Sequence, residues 1–502
     1  MLSLVIFWPL AVALALLALP RLTGRTVIWI WIAATAADLA LVVALWVGYG
    51  GSGPGSGGEF AYETKVRWIP SVGAGYHVGV DGLSLPLLAL TAVLFLSCAV
   101  YSLRLTRRVR ALAALFLFLQ TVCLGVFAAL DLLLFFVFFD LSIVGMYFVI
   151  AGWGHGDHVR SALKFFLYTF LGSLVLLLGF IGLYLGADPH TFDLVELTRT
   201  PPLRDAPGLA GLVLLAIGIG LAIKTPTVPF HTWLPPAHTD APAAGSAILA
   251  GVLLKMGTYG LIRIAMPVLP DAWRRYAWLI IVIGLVSVLY GALVALAQRD
   301  LKRLIAYTSV NHMGYIVLAA GAAGLAGDAA ARRLAVTGAV TQMVSHGLIT
   351  GALFLLAGVL YDRARTYDLD RFGGIAGTAP AFAALTAIAA FASLGIPGLS
   401  GFIAEFQIFA GVIGSGTRFG AIAGAVAVLG ILITAALFLN VLHRTLLGPP
   451  GELTGRVTDA RRPELAAIVP LLVLSLVIGI APRFLLDLIE PASAVVISLV
   501  GR

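Results

Sequence analysis

Charge is what this sequence has least of. Only 11% of its 502 residues are Asp, Glu, Lys or Arg, where a soluble domain carries about 25%. That shortage excludes an ordinary soluble enzyme, whose surface needs far more charge. Cysteine is almost absent: Cys98 and Cys123 stand alone in apolar runs. This excludes a disulfide framework, a CxxC redox pair and a CxxCH haem attachment. No GxxxxGK[ST] loop, no GxGxxG opening a helix and no GxSxG in a strand-to-helix context occurs. Nucleotide cradles and nucleophile elbows are therefore excluded, and no site for covalent chemistry is expected. Lysine is limited to Lys65, Lys164, Lys224, Lys255 and Lys302. The net charge of +8 falls largely in short loops between apolar runs. That placement fits membrane topology and anionic lipid better than nucleic acid.

Long apolar runs fill the space that charge leaves. The chain is 60% hydrophobic with a mean hydropathy of +1.03. By the ~20-residue criterion for a spanning helix, about 14 such runs predict an all-α polytopic membrane protein. The first, "LSLVIFWPLAVALALLALP", lacks a basic leading region and a small-residue cleavage site, and reads as a retained span. Connections are short except "GGSGPGSGGEFAYETKVRWIP", which reads as an exposed Gly/Ser-rich connector. Alternate loops collect positive charge: "RLTRRVR", "QRDLKR", "YDRARTYDLDR" and "GRVTDARR". The positive-inside rule places these in the cytoplasm and both termini on the outer side.

Two spans interrupt themselves beside a charge. The seventh, 208–225, runs into "IKTPTVPFHTWLPPAHTDAP", with Pro226 and Pro229 just after Lys224. The twelfth, 379–414, contains "LGIPGLSGF" and reads as one broken helix, with Pro397 and Gly398 ahead of Glu405. Proline removes a backbone donor, so the carbonyls of Ala222 and Thr225 are expected to lose their partners. At membrane depth that is tolerated only inside protein or beside water. Lys224 at a helix C-terminus suits the dipole, and Glu405 is expected in the first turn of a half-helix, where an anion is favoured. Discontinuous helices at equivalent places of two repeats point to a transport site. The spacing suggests N-terminal spans in 1–109, a five-helix unit in 110–268, a second, inverted unit in 269–447 and a fourteenth span, centred on 465–489, within 448–502.

A charge at mid-bilayer costs at least ~2.5–3.5 kcal/mol, so such residues are functional candidates by default. They are Asp140, Lys224, Lys255, His312, His346 and Glu405, with Asp38 a weaker case. Asp140 and Lys224 form the natural acid–base pair, and Lys255 would take the proton onward. His312 and His346 belong to the residue type that titrates near neutrality, and Gln342 lies one turn before His346. Glu405 would be the terminal site of the second unit. His231 and His238 read as loop residues beside the prolines, without a Cys or Glu at metal-binding spacing. Asp300, Lys302 and Arg303 read as solvated loop charges.

At this point the sequence resembles a known family. "HVGVDGLSLPLLALT", "KFFLYTFLGSLVLLLG", "IKTPTVPFHTWLPPAHTDAPAAGSAILAGVLLKMGTYGLIR", "DLKRLIAYTSVNHMGYIVLA" and "SHGLITGALFLLAGVLYDR" look like the antiporter-like subunits of respiratory complex I, relatives of Mrp-type antiporter subunits. The likeness covers nearly the whole chain and is greatest to the subunit M branch. That branch has about 14 spans, lacks the long lateral helix of subunit L, and carries glutamate at the position of Glu405. The resemblance implies a proton-translocating membrane-arm subunit of an NADH:quinone oxidoreductase in the bacterial plasma membrane, beside L-like and N-like partners. NADH, FMN, iron–sulfur clusters and quinone would belong to the rest of the complex. Lys224, Lys255 and Glu405 match the family's central lysine, connecting lysine and terminal acid, and His312 and His346 its axial histidines. Asp140 matches an acid that is normally glutamate, so its carboxylate sits about one methylene farther from Lys224. An Mrp-type antiporter or a membrane-bound hydrogenase is the alternative setting.

Overall fold

The computed structural model describes residues 1–49 and 60–501. Its helices are α1 (Leu2–Ala18), α2 (Gly24–Tyr49), α3 (Leu85–Tyr101), α4 (Val109–Ala128), α5 (Leu132–Trp153) and α6 (His158–Gly186). The interrupted seventh span is α7 (Pro207–Lys224) and the short α8 (Leu234–Asp240). Then come α9 (Ala243–Val268), α10 (Pro270–Leu296), α11 (Leu301–Ala322) and α12 (Ala329–Ala364). The broken twelfth span is α13 (Pro380–Ser393) and α14 (Ser400–Ile413), followed by α15 (Arg418–Leu447), α16 (Arg462–Ile480) and α17 (Arg483–Val500). Among the described residues, 11 helices are long and apolar enough to cross a membrane. With α1, α11 and the α13/α14 pair they give the fourteen crossings that the apolar runs predict, so the chain is a multi-pass membrane protein.

Burial divides the spans by composition. The edge helices α6, α7 and α10 expose leucines such as Leu167, Leu178, Leu212 and Leu293, as a hydrocarbon-facing surface allows. Within the apolar stretches that cross, α9 and α12 are completely enclosed. They are rich in Gly, Ala, Ser and Thr, whose small side chains let membrane helices approach closely. At their crossing, a Cβ on Gly347 would stand 2.8 Å from the carbonyl oxygen of Gly251. Only glycine permits that approach. The most polar helices thus lie at the centre of the molecule.

Three expectations are corrected. Within a fold that is the helical membrane bundle expected, part of the connector read as loose forms an antiparallel hairpin of β1 (Ala61–Ile69) and β2 (Ala74–Val80), while residues 50–59 lie outside the described residues. The last span stops at Ile480, because Pro482 and Arg483 start a separate helix. That helix, α17, buries Leu485, Ile489, Val496 and Val500 and exposes Asp487 and Glu490 on the opposite side. Finally, the carbonyl of Ala222 is not left open: Thr227 N donates to it at 3.1 Å, bridging past Pro226. The next carbonyl, of Ile223, accepts from Trp233 Nε1 at 2.9 Å.

The hairpin is pinned by charge. Asp131 caps α5 by accepting from Leu134 N and also accepts from Gly75 N at 3.0 Å. Asp193 caps the short helix Leu194–Arg199 and stands 2.7 Å from both His77 Nδ1 and Lys65 Nζ. Glu63 meets His77 Nε2 at 2.8 Å, and Glu196 meets Lys65 Nζ at 3.0 Å. Burial alone would lower the His77 pKa, but the hydrogen bonds and charges of Asp193 and Glu63 outweigh it and the net shift is upward. Burial would raise Asp193, yet His77 and Lys65 bring it down to about 2.

Stability from His77 is therefore fully present below the ordinary histidine value of ~6.5 and is lost as pH rises through the raised native value. Stability from Asp193 is present above the ordinary ~3.9 and is lost as pH falls towards about 2. Amide hydrogen exchange across residues 61–80 is expected to stay protected between these limits and to accelerate above the upper one. Asp193→Asn is expected to move the upper limit to lower pH; an unmoved limit means that His77 does not clamp the hairpin.

Candidate functional site

The sequence candidates on α9, α11, α12 and α14 meet in one line. Lys255 is fully buried between two π-helical turns, Leu249–Leu253 and Leu261–Ala265, a widening of the helix often found at functional sites. Its Nζ donates to the carbonyl of Ala250 at 2.5 Å and meets His346 Nδ1 at 2.6 Å. The His346 ring stands edge-on to His312, with centroids 5.3 Å apart. His312 Nε2 lies 3.9 Å from Glu405 Oε1. A small cavity, with room for about one water, opens among His312, Gln342, Ser345, His346, Ser393 and Glu405. Nε2 of His346 and Oε1 of Gln342 are buried without a protein partner, which costs about 1–3 kcal/mol each if they are dry. Polar atoms of this kind are normally satisfied by water.

Glu405 is the sixth residue of α14, not part of its first turn as the sequence suggested. The helix dipole falls off within the first turn, so the break acts on this carboxylate mainly through its shape. Gly395 has φ +71°, and a Cβ there would collide with Glu405 Oε2. The loop between α13 and α14 thus folds over the carboxylate, and its left-handed backbone favours glycine there.

Lys224 ends α7, with its side chain 1% exposed. Its Nζ donates to Ser142 Oγ at 2.8 Å and lies 4.8 Å from the centre of the Phe139 ring. Asp140 does not pair with it directly. Asp140 accepts instead from Ser173 Oγ at 2.7 Å and has no ion-pair partner among the described residues. Asp140 and Ser142 stand two residues apart on α5, about 200° around the helix, so the acid and the lysine's partner face different neighbours. Asp38, the weaker candidate, accepts from Gln120 Nε2 at 2.6 Å.

Two residues dismissed from the sequence belong to this interior. Lys302 is fully buried, donates to the carbonyl of Ala241 at 2.5 Å and lies over the Tyr367 ring. Asp300 caps α11 and Arg303 is exposed, so only Lys302 departs from the solvated reading. A signal existed: Lys302, Ile305, Ser309 and His312 follow i, i+3, i+7, i+10 spacing and share one helix face. His238 is also fully buried, stacked 4.5 Å from Phe354, and both its ring nitrogens lack a protein partner.

Interrupted spans that bury a lysine and a glutamate define an antiporter-like membrane subunit. Residues 129–433 match the family described as NADH:quinone oxidoreductase/Mrp antiporter, TM, and the chain belongs to that family. It is 37% identical over 438 residues to NADH-quinone oxidoreductase subunit M of Rickettsia prowazekii (strain Madrid E), covering 86% of this chain and 85% of the relative. Its fold matches a chain of respiratory complex I from Thermus thermophilus with a TM-score of 0.89, at 28% identity and full coverage of both chains. It also matches a chain of the Mrp complex from Dietzia sp. DQ12-45-1b with a TM-score of 0.83, covering 99% of each chain at 22% identity. That last likeness concerns the fold alone.

Gly395 and Gly398 both have positive φ, but only a Cβ on Gly395 strikes Glu405, while one on Gly398 meets nothing within 4 Å. Each alanine should cost of the order of 1–3 kcal/mol in backbone strain. Gly395→Ala is expected to lower the thermal stability of the assembled protein more than Gly398→Ala does. Equal losses would show that the Glu405 carboxylate yields to the added methyl group.

Proposed function

We propose that this chain is a subunit M-type, proton-translocating member of the membrane arm of an NADH:quinone oxidoreductase. The contiguous line Lys255–His346–His312–Glu405 carries this reading. It places groups able to take and give a proton side by side where hydrocarbon would otherwise bar one. Lys302 and His238 extend the line towards the face of the arginine-rich loops, and Lys224 lies at the break of the neighbouring span. Grouping 110–268 and 269–447 as two units, one built around Lys224 and the other around Glu405, accords with a broken helix in each.

In this reading NADH, FMN, iron–sulfur clusters and quinone act in other subunits, and quinone reduction there drives proton movement here. L-like and N-like antiporter subunits would flank the chain in the bacterial plasma membrane. The arginine-rich loops would face the cytoplasm and both termini the outer side. The fold likeness to an Mrp complex favours a second reading, a cation/proton antiporter subunit without a redox partner. Purification from the native membrane separates the two: co-purification of NADH-oxidising subunits supports the first, and a small antiporter assembly without them supports the second.

Lys224→Ala, Lys255→Ala and Glu405→Gln are each expected to assemble and to lose most NADH-driven proton pumping, measured with a pH-sensitive dye in sealed vesicles. Wild-type pumping in all three would sink the relay. For the acid on α5, Asp140→Asn is expected to impair pumping more than Asp140→Glu. Wild-type rates in both would remove Asp140 from the mechanism.

A further inference from the structure

We infer that Ser142, rather than Asp140, is the positioning residue that holds Lys224 in place through both its protonation states, an inference resting on the proton-translocating reading above. Ser142 is fully buried on α5. Its Oγ accepts from Lys224 Nζ at 2.8 Å and donates to the carbonyl of Phe139 at 2.6 Å. An ammonium group needs an acceptor, whereas a neutral amine also offers a lone pair that needs a donor. A carboxylate serves only the first state, but a hydroxyl serves both, because it donates as well as accepts. When Lys224 loses its proton, the Ser142 hydroxyl can turn from the Phe139 carbonyl to the amine, and the lysine keeps a partner. Without it the terminal group would face the Phe139 ring, which attracts the cation and offers the amine far less.

Ser173 plays the matching part for the acid. It is fully buried and donates either to Asp140 Oδ1 at 2.7 Å or to the carbonyl of Phe170 at 2.9 Å. One hydroxyl hydrogen cannot serve both acceptors at once, so the carboxylate and the carbonyl compete for it. The titratable groups near Lys224 are Cys123 on α4 and Asp140 on α5. Neither contacts its nitrogen in the way that Ser142 does. The acid and the base are thus each held by a hydroxyl, with no ion pair between them among the described residues.

The test uses the whole complex in sealed vesicles and measures protons pumped per NADH oxidised across a pH series. Ser142→Ala is expected to assemble, to lower coupling by about tenfold, the effect of one lost hydrogen bond to a charged group, and to displace the pH profile. Ser142→Thr, which keeps the hydroxyl, is expected to restore both. Wild-type coupling and profile in Ser142→Ala, alongside a pumping-deficient Lys224→Ala, overturns the role of Ser142 and leaves the functional reading standing. Wild-type pumping in Lys224→Ala removes Lys224 from the relay and overturns this inference, while the functional reading falls only if Lys255→Ala and Glu405→Gln pump normally too. Loss in Ser142→Ala without recovery in an assembled Ser142→Thr reduces Ser142 to packing and overturns the inference. Should Ser142→Ala fail to assemble, Ser142→Cys keeps the volume with a weak hydrogen bond, and wild-type coupling there overturns the inference equally.

Discussion

Lys255 sits at the centre of the protein without a carboxylate in contact. Among the described residues its nitrogen meets one carbonyl oxygen and one imidazole. A cation so placed is expensive, because neutral partners replace only part of the hydration it gives up. Much of the surrounding architecture reads as an answer to that cost. The π-helical turns widen α9 so that its own Ala250 carbonyl can reach the lysine, and the glycine crossing of α9 and α12 brings His346 within hydrogen-bond distance. The enclosing ring of apolar helices keeps bulk solvent away. A packed structural core avoids a group so poorly compensated.

Two strong ion pairs frame this weakly compensated interior. At the arginine-rich face, Arg363 on α12 grips Glu464 on α16 through two hydrogen bonds of 2.7 Å. At the opposite face, Arg263 on α9 pairs with Asp81 ahead of α3 and donates to Tyr259. Both pairs tie the two enclosed helices to their neighbours. The ends of α9 and α12 are fixed by full charge pairing, while their middles carry groups whose charge is incompletely matched.

The spans, the two breaks and the enclosed charges were legible because hydropathy and proline act locally. Lys224, Lys255, His346 and Glu405 stood out against apolar neighbours. Lys302 and His238 did not, because turn residues surround them and their burial comes from helices distant in sequence. The hairpin was hidden by its glycine-rich lead-in, although its strands pair a lysine with a histidine across the register. The direct pairing of Asp140 with Lys224 failed for a geometric reason. Sequence shows which charges share a membrane, but not which side of α5 each one faces. The unpaired Ala222 carbonyl failed because the chain's next free donor, Thr227, replaces the one that Pro226 lacks.

The last helix, α17, has a consequence of a mechanical kind. Leu488 presses its carbonyl against Gly82 so closely that no side chain fits there, and Arg274 at the start of α10 donates to the carbonyl of Val500 at 2.6 Å. One amphipathic rod therefore spans from the loop that launches α3 to the loop that launches α10, lying across the helix ends like a tie-beam. Any tilt of the first spans against the later ones would have to stretch or slide that beam. Because the same rod also packs against α12, a displacement at one flank of the subunit would meet a brace that touches the enclosed helix as well.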